Sequence, residues 1–192
     1  GDFVIISLAN GDYTVPNGKN LYITNQYVAY NLIPVITIDN VRVLELDGGP
    51  SQSWFSNGSS YIVNEGSTIS YVDIPNSSPI ITLSGILVDK VCEPIIIDLL
   101  SESYTIPEGK NFHITRAYEE GNVPPIITVD DTPIFKVDSY GYLQDNLLGG
   151  TRIADGGHTI SYTSSVGNIE WLTLSGYLVD EDYFADCGGG GS

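Results

Sequence analysis

The sequence has no methionine, two cysteines and only seven Lys and Arg among its 192 residues. Against 24 Asp and Glu, those few bases leave a net charge of −17 at pH 7. Nucleic acids and anionic membrane surfaces are polyanions and would be repelled, so neither is expected as a partner. No apolar run reaches the roughly 18 residues that a membrane-crossing helix needs, so no membrane insertion is expected. Cys92 and Cys187 are too few for a disulfide framework and match no paired zinc spacing; one bridge and two free thiols both remain open. Gly1 stands first without a basic, apolar leader, which points to a leader already removed or a trimmed chain. Sustained helical periodicity is missing as well.

What is present favours a folded, displayed protein. The chain is 42% hydrophobic, enough to bury ordinary cores and to exclude wholesale disorder, and its length suits one large or two small domains. Thirteen Tyr, few Lys, many acids and turns dense in Asn, Ser and Gly point to an extracellular, cell-surface or virion location. The final Gly188 to Ser192 reads as a flexible tail.

Compared with itself at an offset of 91 residues, the chain repeats. Tyr13-Thr14-Val15-Pro16-Asn17-Gly18-Lys19-Asn20 meets Tyr104-Thr105-Ile106-Pro107-Glu108-Gly109-Lys110-Asn111, and Leu83-Ser84-Gly85-Ile86-Leu87-Val88-Asp89 meets Leu174-Ser175-Gly176-Tyr177-Leu178-Val179-Asp180. Between Tyr13 and Asp89 there are 29 identities in 77 aligned positions without a gap. Two copies are too few for a solenoid, so each must close its own core. The expected domains are 1–91 and 92–187, followed by the tail 188–192, with no Pro/Gly/Ser linker at the junction.

Inside a module, apolar residues alternate with period two. Leu21 and Ile23 oppose Tyr22 and Thr24, and Ile69 and Tyr71 oppose Thr68 and Ser70, which is the pattern of half-buried strands. Strands are expected at 3–9, 12–16, 20–28, 35–39, 41–47, 60–64, 67–73 and 80–88, with turns at Asn17-Gly18 and Asp47-Gly48-Gly49. About eight antiparallel strands per module predict an all-β protein of two tandem β-sandwiches. The jelly roll is preferred, because the Cys–Trp–Cys spacing of immunoglobulin domains is absent.

Reactive constellations are sparse. Pro107-Glu108-Gly109-Lys110-Asn111-Phe112-His113 resembles the turn and metal-binding strand of cupins but has one His where a pair is needed, and Tyr22 stands at the equivalent place. His113 is therefore expected on an exposed strand face. His158 falls in a turn, and no Gly-x-Ser-x-Gly elbow accompanies either His. Asp130-Asp131, Asp155 and Asp180-Glu181-Asp182 read as surface charge. No catalytic residue, metal site or cofactor is expected, with Ca2+ the one ion these acids could attract. Asp39/Asp130, Asp47/Asp138 and Asp89/Asp180 recur at strand ends, where Asp caps turns.

Two features point outward instead. The copies diverge most over 48–60, which holds Trp54 and Phe55, and over the aligned 139–151, which holds Tyr140 and Tyr142; exposed aromatics on long loops suit sugar faces or partner surfaces. Strand faces opposite the expected core are also apolar: Ile86 and Val88 in one copy, Tyr177 and Val179 in the other. The N-terminal run with Phe3 and Ile5 is β-prone and hazardous if loose. These six residues form a candidate assembly interface, and the N-terminal run is expected to pair as an edge strand, within its module or with a neighbouring subunit.

The pattern Tyr-Thr-Val/Ile-Pro-x-Gly-Lys-Asn, Gly-x-Thr-Ile-Ser and Leu-Ser-Gly-Tyr/Ile-Leu-Val-Asp resembles repeated β-sandwich modules of phage and viral fibres or spikes and of bacterial extracellular appendages. That resemblance implies a non-enzymatic subunit that self-assembles into an extracellular filament, fibre or virion surface component, as a homo-oligomer or polymer. It transfers no site residues. The alternative is a glycan-binding adhesin or lectin that uses the divergent aromatic loops, and a degenerate cupin-like enzyme stands third.

Overall fold

The computed structural model describes residues 1–28, 34–45, 61–72, 80–90, 92–121, 123–137, 152–164 and 168–182. The chain divides into two compact units, Gly1–Ile96 and Ile97–Ser192.

The first unit runs through β1 (Asp2–Ser7), a single 3-10 turn at Leu8–Asn10, β2 (Tyr13–Thr14), β3 (Lys19–Val28), β4 (Val35–Ile38), β5 (Val41–Glu45), β6 (Tyr61–Val63), β7 (Thr68–Val72) and β8 (Ile81–Asp89). One sheet has the order β1-β8-β3-β6 and the other β2-β7-β4-β5. Alternation sends one side of every strand into the sandwich. Ile6, Leu21, Leu83 and Val63 enter from the first sheet and meet Ile36, Ile38 and Ile69 from the second, all at 4% exposure or less. Each such burial contributes about 1.5–3 kcal/mol against leaving the side chain in water.

The second unit repeats this with β9 (Glu93–Asp98), β10 (Tyr104–Thr105), β11 (Lys110–Gly121), β12 (Ile126–Val129), β13 (Thr132–Lys136), β14 (Arg152–Ala154), β15 (Thr159–Thr163) and β16 (Ile169–Asp180). Its sheets are β9-β16-β11-β14 and β10-β15-β12-β13, the same spatial order strand for strand. Phe112, Ile114, Ile127, Ile160, Leu172 and Leu174 are its fully buried centre. Eight antiparallel strands in the order 1-8-3-6 over 2-7-4-5 make a jelly roll, twice. The division between the units falls inside β9, five residues past the boundary that the sequence offset suggests. By pairing, β9 belongs with β16.

Irregularities repeat as faithfully as strands. The register of β3 on β8 slips between Ile23 and Asn25, and that of β11 on β16 between Ile114 and Arg116. Each slip is a bulge at a Thr whose hydroxyl donates to a carbonyl across the pair, Thr24 to Ser84 and Thr115 to Ser175. Gly85 and Gly176 sit where a Cβ would collide with the carbonyl oxygens of Tyr22 and His113, so only glycine lets these strands approach.

Candidate functional site

The repeated motif residues turn out to be committed to the scaffold. Asp39-Asn40 and Asp130-Asp131 have positive φ at both positions (51° and 68°; 46° and 62°), the tight hairpin turn that matches strand twist and that Asp and Asn tolerate best. These turns join β4 to β5 and β12 to β13. The Asp39 carboxylate accepts the Thr68 N–H at 2.8 Å and that of Asp130 accepts the Thr159 N–H at 2.9 Å. Lys19 reaches Asp89 at 2.7 Å and Lys110 reaches Asp180 at 2.9 Å. The Lys19 ammonium holds the Asp89 carboxyl below the usual carboxylate range, and Asp89 in turn raises Lys19. Asp47 and Asp138 lie outside the described residues.

The two histidines have separate fates. His158 Nδ1 lies 2.5 Å from an Asp130 carboxylate oxygen on the surface, and this hydrogen bond raises its pKa. His113 is not on an exposed face, contrary to the reading from alternation: it is 3% exposed and stacks on Tyr177 at 5.0 Å between ring centroids. Alternation gives the side of the sheet correctly but not whether that side meets water. Burial pushes the His113 pKa down, so the ring is neutral at pH 7.

Among the described residues no three His, Cys, Asp or Glu side chains are grouped to hold a metal ion. A hollow in the first core is lined by Ile23, Ile36, Ile38, Val43, Leu44, Tyr61 and Leu83, without a charged group. The Tyr61 hydroxyl is itself committed to the Val43 carbonyl. Cys92 is a free, half-buried thiol with the Asn20 amide at 3.7 Å and the Tyr22 hydroxyl at 3.9 Å from its sulfur. Burial raises its pKa, which keeps it protonated and a poor nucleophile.

The aromatic loop candidates Trp54, Phe55, Tyr140 and Tyr142 lie outside the described residues. The assembly candidates are placed. Phe3 and Ile5 are on the outward side of β1, 67% and 68% exposed; Ile86 is 39% exposed on β8 and Val88 half-buried beside it. Their counterparts in the second unit are withdrawn from solvent, with Val179 at 7% and Tyr177 half-buried against His113.

Register assembles the first group into a row that the linear sequence hides. Phe3 pairs with Ile86, Ile86 with Tyr22, and Tyr22 with Ile62, so four apolar side chains cross all four strands on one face. Tyr22 and Ile62 are not among the assembly candidates read from sequence; their opposition to Leu21 and Val63 is the signal that points to them. No Asp, Glu, Lys or Arg occupies the outward positions aligned with this row along β1, β3, β6 and β8. The segment at Cys92 reaches over part of the face, where its carbonyl accepts the Asn20 side-chain amide at 3.1 Å. Phe3, Ile5 and Ile86 remain open beside the sheet edge. No protein-family profile, curated protein or solved structure matches the chain. No helix among the described residues is long and apolar enough to cross a membrane.

Proposed function

We propose that this chain is a non-enzymatic structural subunit that self-assembles outside the cell into a filament, fibre or virion surface component. The observation that carries this reading is the open, uncharged, apolar strip of Phe3, Ile5 and Ile86 on an otherwise strongly acidic molecule. A strip of that kind gains by being covered, and charge repulsion elsewhere on the surface limits how copies can meet. The scaffold supports the reading too, since the repeated polar residues are used in turns and ion pairs rather than gathered around a ligand.

Light scattering and negative-stain microscopy over a range of concentration and salt test it. Association that grows with concentration is expected, and added salt or Ca2+ should ease it by screening the net charge of −17. A monomer at every concentration would overturn the proposal and move attention to glycan binding by the loops around Trp54 and Tyr140.

A further inference from the structure

The edge of the first sheet carries an inference about how copies meet. β1 is the terminal strand of its sheet, and it pairs with β8 in unbroken register from Asp2–Leu87 to Ser7–Thr82. Edge strands are ordinarily blunted by lysine, proline or a bulge; β1, Asp-Phe-Val-Ile-Ile-Ser, has none of these. Its counterpart β9 does: at the 91-residue offset Phe3 is replaced by Pro94.

The same counterpart shows which backbone groups face the open side. Just beyond β9, the Leu99 N–H donates to the Leu172 carbonyl of β16 at 2.9 Å. Strand alternation carries that orientation back to Ile97 and Ile95, so Pro94 and Ile96 turn their backbone away from β16. Proline is tolerated there because no ladder bond is lost. By equivalence Phe3 and Ile5 direct their backbone N–H and C=O groups to the open edge of the first sheet, and their side chains are the most exposed large apolar ones among the described residues.

We propose that two copies of the chain join by antiparallel pairing of β1 with β1, making one continuous eight-stranded sheet. This rests on the self-assembly reading above and names its contact. Sequence and charge select a second copy as the occupant. A twofold axis at Val4 sets Phe3 opposite Ile5 on both sides and Asp2 opposite Ile6, so no two carboxylates of the paired strands meet, on a chain of net charge −17. The outward row Ile62, Tyr22, Ile86, Phe3 then ends against Ile5 of the other copy, so the two apolar rows lie side by side across the seam, offset by two residues. Because such a contact is closed, the pair is the building unit, and Pro94 keeps the equivalent edge of the second unit from pairing in the same way.

The test uses the full-length chain and two substitutions. Phe3→Pro copies the arrangement at Pro94, and Ile5→Lys places a charge at an exposed edge position; both should keep the native circular dichroism. Analytical ultracentrifugation should find a wild-type dimer and at least about tenfold weaker association for each variant. In the wild-type dimer, the Phe3 and Ile5 amides should be protected from hydrogen exchange. Wild-type association that neither substitution weakens, or Phe3 and Ile5 amides that exchange freely in the assembled protein, would overturn the β1 pairing while leaving self-assembly standing. A wild-type monomer at all concentrations would overturn both. Should Phe3→Pro fail to fold, Ile5→Lys and the wild-type exchange measurement still decide.

Discussion

The outward faces of the two equivalent sheets share a fold and a register but not their relation to water. On β1 and β8 of the first unit, Phe3 is 67% and Ile86 39% exposed. At the matching places of the second unit Pro94 is buried, Tyr177 is half-buried against His113, and Val179 is 7% exposed. The bulges at Thr24 and Thr115 and the paired glycines Gly85 and Gly176 are the same in both. The two units thus keep the same bulges and close strand approaches and differ in which surface meets solvent, so function is to be sought in the faces that differ.

The largest expected effects test the half of this comparison that says the scaffolds are equal. Leu21 and Phe112 occupy the same slot of the two cores, each at 0% exposure. Phe112→Ala should cost about 3–5 kcal/mol and Leu21→Ala about 2–5 kcal/mol, the cavity left by the ring being larger. Urea unfolding measures both, and a cost below about 1 kcal/mol at either site would mean that the two cores are not built alike.

A smaller pair of changes tests the half that says the outward faces differ. Tyr177→Ser removes a ring stacked on a buried histidine and should destabilise by about 1–3 kcal/mol. Ile86→Ser, at the equivalent but open position, should change stability by about 0.5 kcal/mol. Equal losses would erase the distinction between the two faces.

That distinction also marks where sequence reasoning stopped. Period-two alternation and the 91-residue offset are sufficient for the strands, the two sandwiches and inward residues such as Leu21, Ile23 and Ile69, because those follow from local pattern. Alternation placed Tyr22 and His113 on the outward side but carried no information about cover, which depends on residues distant in the chain. The row Phe3, Ile86, Tyr22, Ile62 needed the register of three strand pairs, and no local pattern encodes that. Pro94 is legible in the sequence, but its meaning as a blocked edge depends on Phe3 lying on an open one, which only the strand order shows.

The smallest expected effect uses a surface contact in which the copies differ in charge. His158 and Asp130 form a surface pair in the second unit, whereas Ser67 and Asp39 stand at the same places in the first. The hydrogen bond from His158 holds the Asp130 carboxyl below its ordinary range, and that same bond raises the His158 pKa. A raised folded-state value means that the histidine's contribution is complete below its unfolded pKa of about 6.5 and is lost as pH rises through the folded value. A lowered carboxylate value means that the contribution of Asp130 is present above about 3.9 and is lost as pH falls through its folded value. The pair therefore stabilises the second unit most between those limits. Both groups are well exposed, so the effect is small and screened by salt. His158→Ser should flatten this pH dependence and make the turn resemble its sister. NMR titration of the His158 ring in low salt checks the premise directly: a pKa at or below the ordinary histidine value would remove the pair as a difference between the two units.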